Sequence, residues 1–181
     1  MKIPAQPLDP QTFSLPPGLP GSYALCLRLA HPERLAAGKL GEFDFPAGDY
    51  VYLGRAHGPG GLRSRLERHG RGAVRRHWHI DFLRAAAAVT GAVVAVESAT
   101  CDRAAIPLEC TWSQLLAGLP GASIPAAHFG SSDCRCGCPA HLVHFEVMLV
   151  ERLAEALGRA TAGVRCEIIY LDGFGNDRPN R

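Results

Sequence analysis

No stretch of this sequence is long and apolar enough to suggest a membrane span. The best candidate, AAAAVTGAVVAV at residues 85–96, is closed in by Arg84 and Glu97 and falls short of the roughly 20 residues that a spanning helix needs. The opening MKIPAQPLDPQTFSLPPG has no apolar h-region, so no secretory signal is expected. Strong net charge is missing too. Nineteen Lys and Arg against 17 Asp and Glu leave +2, too little for bulk electrostatics to drive binding to nucleic acid, so any basic surface has to be local. No internal repeat is visible. The seven cysteines form an odd set, and three of them fall within CRCGC at 134–138. In a cytoplasmic chain with reduced thiols, the expected setting here, such a cluster points to metal or redox chemistry rather than to a disulfide framework.

What is present is ordinary for a globular chain: 181 residues, 47% hydrophobic and 20% charged, enough for one domain with a real core. Residues 1–20 carry six prolines and are expected to form a poorly ordered leader. Strands are expected at 22–30 and 49–54, with a short one at EFDF. A helix follows over 62–70, with Gly70 and Gly72 available to stop it. HWHIDFLRAAAAV is expected as a second helix, 91–99 as a strand and 107–119 as a helix opened by Pro107. Residues 121–146 are irregular and rich in Cys and His, the kind of long loop that tends to carry function. A helix and a strand at 147–181 read as a C-terminal extension of the 21–146 domain. The fold class expected is α/β (α+β), a small mixed central sheet flanked by helices.

The stretch VYLGRAHGPGGLRSRLERHG, residues 51–70, concentrates the local positive charge. Arginines 63, 65, 68, 71, 75 and 76 have only Glu67 among them. A solvated helix face accounts for most such runs. Leu62, Arg65, Leu66 and His69 nevertheless share one stripe at i, i+3, i+4 and i+7. That stripe puts a guanidinium near the core edge, where it needs an anionic partner. Either an internal ion pair or a bound phosphate, cradled by backbone amides of the glycine loop, would satisfy it.

GSY at 21–23, VYLG at 51–54 and a helix bearing RLERH together resemble the GIY-YIG nuclease superfamily. AGDYVYLGRAHGPGGLRSRLERH, HWHIDFL, LEC and FGSSDCRCGCPAHL are similar to one branch of it, an uncharacterised family of small proteins also found fused to endonuclease III-like repair enzymes. The resemblance spans residues 21–145. It implies a GIY-YIG-like fold and a divalent-metal-dependent endonuclease acting on nucleic acid, with DNA as the expected substrate, and a DNA-repair protein as a partner. Carried over residue by residue, it makes Tyr23, Tyr52, Arg65, His69 and Glu109 the catalytic set. Glu109 would hold Mg²⁺ or Mn²⁺, Arg65 would brace the phosphate, and the tyrosines would orient or deprotonate water. His69 would relay a proton or hold a tyrosine hydroxyl. Gly54, Arg55, Gly60, Gly61, Arg63 and Arg68 are the expected phosphate contacts. Two features depart from the pattern: the tyrosines stand 29 residues apart, which requires an inserted turn or hairpin, and Ser131, Ser132 and Asp133 lie where a downstream asparagine would be sought.

Cys134, Cys136, Cys138, His141 and His144 offer the thiolates and imidazoles that zinc prefers. Because C-x-C-x-C is tight for one tetrahedral ion, the expected site uses Cys134 or Cys136 with His141 and a distant partner such as His77 or His79. His77 and Asp81 are expected to pair at i, i+4. Two other functions fit the residues: a non-catalytic nucleic-acid-binding module with a Cys/His zinc site, and a redox or metal-sensing protein centred on 134–144.

Overall fold

The computed structural model describes residues 15–72, 75–97, 106–161 and, for the backbone alone, 166–169. Its frame is a five-stranded sheet in the order β6-β4-β1-β5-β7. The strands are β1 (Gly21–Leu29), β4 (Gly48–Ala56), β5 (Ala88–Val96), β6 (Leu142–Phe145) and β7 (Cys166–Ile169). The class is α+β, and every described pairing in the sheet is antiparallel.

Strand periodicity explains why the sheet is covered on both sides. Successive side chains point to opposite faces. Tyr23, Leu25 and Leu27 of β1 lie with Tyr50 and Tyr52 of β4 and Val94 of β5 in one apolar cluster, joined by Leu62 and Leu66 of helix α1 (Gly61–Arg71) and by Ile80 and Leu83 of α2 (His79–Leu83). The alternate residues Ala24, Cys26, Val51, Leu53, Val93 and Ala95 join Trp112 and Leu116 of α3 (Leu108–Ala117) and Leu153 and Leu157 of α4 (Val150–Ala160). Strands with two apolar faces are the middle layer of a helix–sheet–helix sandwich. The C-terminal segment belongs to that sandwich: α4 buries Leu153 and Leu157, and β7 pairs with β5.

Three expectations change. The interval between the tyrosines holds a separate hairpin, β2 (Glu33–Ala36) paired with β3 (Glu42–Phe45), of which only β3 was legible. Second, α2 is five residues long, and the alanines after it form a turn and the start of β5. Helix propensity is a weak prior. Here it loses to the ladder that pairs Ala88 with Arg28 of β1, and to Arg84. The Arg84 guanidinium collects the carbonyls of His69 and Gly70 at 3.0 and 3.4 Å, together with that of Ala87. Third, residues 15–20 are packed rather than loose: Leu15 is buried, and Leu19 and Pro20 accept main-chain bonds from Leu62 and Glu97. Residues 1–14 lie outside the described ones.

Candidate functional site

The site forms where β4 outruns its neighbour. The β6 ladder pairs Asp49 to Tyr52 and then stops; one further bond, from the Leu53 N–H to the His141 carbonyl at 2.8 Å, closes it. Beyond that point the edge of β4 at Gly54 and Arg55 borders a cavity of about 190 Å³. Both layers of helices reach this edge. Tyr23, Tyr52 and Arg65 enter from the α1 side, Arg55 and Glu109 from the α3 side, and Gly130, Asp133 and His141 close the wall.

Two glycines make the room. A Cβ on Gly54 would sit 2.3 Å from the Tyr23 hydroxyl oxygen, and one on Gly130, whose φ is +75°, would sit 2.8 Å from the Tyr52 ring. The Tyr23 hydroxyl is hydrogen-bonded to His69 Nε2 at 2.9 Å, and Tyr52 meets the same imidazole edge-on. Burial dominates the chemistry of this trio. It raises the Tyr23 hydroxyl well above its usual range, with Tyr52 adding to the rise and Arg65 and Arg68 opposing it. Burial also pushes Tyr52 up to about 12 and lowers His69 to about 3. At neutral pH the bond is therefore between two uncharged groups.

Arg65 stacks on Trp78, its guanidinium carbon 4.3 Å from the ring, and forms no ion pair among the described residues. The geometry assigns its neighbours elsewhere. Arg68 forks onto Asp81 at 3.1 and 2.9 Å and also stacks on Trp78 at 4.1 Å. Asp81 further accepts the main-chain N–H groups of His77 and Trp78 at 2.8 and 3.0 Å, so it meets the His77 backbone and not the ring. Arg63 pairs with Glu67 at 2.9 Å. Arg63 and Arg68, both expected as phosphate contacts, thus each have a carboxylate partner within the fold. In the glycine loop the Gly61 N–H is given to the Gly58 carbonyl and the Leu62 N–H to that of Leu19, so these two amides are already occupied and do not point at a phosphate.

Glu109 stands in the first turn of α3 and is 9% exposed. Its Oε2 accepts from the Ser22 hydroxyl at 3.4 Å, and its Oε1 lies 3.9 Å from Arg55 Nη1. Burial raises its pKa, while the first-turn backbone, Arg55 and Ser22 lower it. Ser22 shares its single hydroxyl proton between the long contact to Glu109 and a short one of 2.5 Å to Glu97, which holds His57 at 2.9 Å.

Directly behind the cavity wall lies a second group. Cys110, Cys134, Cys138 and His141 bring their ligand atoms within 4.8 Å of one another and could hold a metal ion. Cys110 Sγ is 3.6 Å from Cys134 Sγ and 3.7 Å from His141 Nε2. Burial raises the Cys110 thiol. Burial acts the same way on Cys134, but the N–H groups of Cys138 and Cys136 outweigh it and bring that thiol below its usual value. The group corrects the expected ligand set. Cys136 gives its backbone N–H to Cys134 Sγ at 3.4 Å and stays outside, Cys138 takes its place, and Cys110 is the distant fourth member. His79 instead accepts the Gly130 N–H at 3.1 Å, and His144 holds Ser123 and the Ala47 carbonyl. Cys110 has no local ligand signature; its only signal was its place beside Glu109 in LEC.

The arrangement defines an α+β sandwich with a polar cavity at an open sheet edge and a Cys/His cluster against its wall. Residues 22–162 match the family described as Domain of unknown function DUF123, and the chain belongs to that family. No curated protein and no solved structure matches it.

Proposed function

We propose that the chain is a GIY-YIG-type endonuclease that hydrolyses phosphodiester bonds in DNA with the help of a divalent cation. The observation that carries this reading is the convergence of Tyr23, Tyr52, Arg65 and Glu109, drawn from four elements, on one cavity. Arg65 has the role its surroundings leave open. Stacked on Trp78 and unpaired with any carboxylate among the described residues, it presents a planar fork to a non-bridging phosphate oxygen pair. Tyr52 and Tyr23 stay protonated at neutral pH and orient the attacking water through their hydroxyls. His69 fixes the direction of the Tyr23 O–H.

Glu109 suits Mg²⁺ or Mn²⁺. Its hard carboxylate oxygens border a cavity with space for retained waters, and Asp133 lines the same space. The ion would screen phosphate charge and lower the pKa of a bound water.

For the Cys/His group we propose zinc. With Zn–S of about 2.3 Å and Zn–N of about 2.0–2.1 Å, the edges of a tetrahedron are about 3.8 Å for S···S and about 3.6 Å for S···N. The contacts between Cys110 and Cys134 and between Cys110 and His141 are 3.6 and 3.7 Å. Four protein ligands make it a closed, structural site.

A second reading is favoured by the burial of both tyrosines in the apolar cluster: a binding module in which they serve packing alone. The two are separated by cleavage of end-labelled linear, nicked and branched DNA in Mg²⁺ or Mn²⁺. The nuclease predicts cutting by the wild type that Glu109→Ala reduces at least 100-fold. Salt-sensitive binding without cutting on any substrate supports the module, and cutting retained by Glu109→Ala removes Glu109 from the site.

A further inference from the structure

We infer that the Cys110–Cys134–Cys138–His141 group is a positioning device for the cavity, so that a metal held there sets both of the cavity's carboxylates. The inference rests on the reading of Glu109 as the cation ligand. Each carboxylate is the chain neighbour of a thiol in the group: Glu109 precedes Cys110 on α3, and Asp133 precedes Cys134 in the loop. These residues stand on separate elements, 24 positions apart in sequence, and a tetrahedral centre between the thiols spans the gap.

The other members anchor that centre to the sheet. His141 contributes its imidazole to the group and also lines the cavity. Its backbone is tied on both sides, the N–H to the Phe129 carbonyl at 2.8 Å and the carbonyl to the Leu53 N–H of β4 at 2.8 Å. A bound metal therefore connects the first turn of α3 to the β4 edge beside Tyr52 and Gly54. Two more polar tethers of α3 run to the same loop: the Ser113 hydroxyl donates to the Ala140 carbonyl at 2.5 Å, and the Gln114 amide to that of Cys136 at 3.0 Å. By contrast, among the described residues the Glu109 carboxylate meets other elements only at 3.4 and 3.9 Å, at Ser22 and Arg55. These are too long to fix it against a cation that demands near-ideal octahedral geometry. Trp112 and Leu116 hold the body of α3 independently, fully buried against the far face of the sheet. The metal's task is thus local to the end of the helix that carries Glu109.

The test measures zinc content and Mn²⁺ affinity on the full chain, with free Mn²⁺ followed by electron paramagnetic resonance and no DNA present. Glu109→Gln identifies the Mn²⁺ bound at the cavity. The expected result is that wild type carries one zinc and binds Mn²⁺ in a Glu109-dependent way. Cys138→Ser should lose zinc and weaken that binding at least tenfold while keeping its circular dichroism. His141→Cys, which preserves four ligands, should keep both. Zinc stripped from wild type by a chelator and then restored should reproduce the loss and its recovery without any substitution. A folded, zinc-free chain that binds Mn²⁺ as tightly as wild type overturns the inference and leaves the nuclease reading standing. Collapse of the whole fold on zinc removal also overturns it, since the group would then support the domain and not the cavity. Wild-type Mn²⁺ binding equal to that of Glu109→Gln defeats the Glu109 reading itself, and this inference with it.

Discussion

Gly54 faces the Tyr23 hydroxyl across a gap that admits no methyl group, because a Cβ there would stand 2.3 Å from the oxygen. Gly54→Ala must therefore displace Tyr23 from His69, and overpacking of this kind costs about 1–3 kcal/mol. Denaturant unfolding should show that loss, with cleavage falling alongside it on the proposed nuclease reading; an unchanged midpoint would mean that the ring moves aside freely. His69 makes a second prediction. Burial holds it near 3 in the folded chain, whereas the unfolded imidazole titrates near 6.5. Between those values the unfolded state binds more protons, so its contribution to stability is complete above about pH 6.5 and is lost as the pH falls toward 3. The slope is at most about 1.4 kcal/mol per pH unit. His69→Gln should flatten the acid limb of the unfolding midpoint by up to one proton; an identical pH profile would place the wild-type imidazole in contact with water. The residues themselves were legible here, since Tyr23, Tyr52, Arg65, His69 and Glu109 all stood out in the sequence. What could not be read was their burial, which makes the tyrosines weaker acids and the histidine a weaker base.

At the scale of the elements, α1 and α3 were legible because their apolar residues recur at helical spacing and Gly72 and Pro107 mark their ends. The alanine run after α2 misled, since local propensity there opposes the demand of β1 for a second neighbour. The arginines of α1 were ambiguous for a related reason: periodicity places a side chain on a face but does not name its partner. Arg68 takes Asp81, and Asp81 in turn caps the start of α2. The Asp81 side chain is 3% exposed. Asp81→Ala leaves a half-buried guanidinium and two backbone amides without their acceptor, and should cost about 3–5 kcal/mol. Thermal unfolding checks the figure, and a loss under 1 kcal/mol would mean that water replaces the carboxylate easily. Since Arg65 and Arg68 both stack on Trp78, the same variant should loosen Arg65 and, on the proposed nuclease reading, lower cleavage further than its stability loss explains.

For the whole molecule, the question is what the sheet needs in order to be covered. Leu153 and Leu157 of α4 are fully buried with Trp112, whose indole N–H donates to Thr161 at 2.9 Å, and β7 covers the outer edge of β5. A chain truncated after Val147 would expose that face and an unpaired strand edge, a template for aggregation. It should lose cooperative unfolding and elute as aggregates in size-exclusion chromatography; a monomer with native circular dichroism would show that α4 and β7 are accessory. Among the described residues no helix is long and apolar enough to cross a membrane, in line with the short apolar runs of the sequence.

Read alone, the sequence determined the local quantities: which segments alternate and which repeat at helical spacing, where glycine and proline interrupt them, and which residues are able to bind a cation, a phosphate or a metal. Those follow from backbone geometry and side-chain chemistry within a few residues. The tertiary structure decided the partnerships. It placed Cys110 with Cys134, Cys138 and His141, gave Arg63 and Arg68 to carboxylates, closed the amides of Gly61 and Leu62 with neighbouring carbonyls, and opened the cavity where β4 runs past β6. Such choices depend on which distant segments the sheet order brings to one edge, and no spacing along the chain encodes that distance.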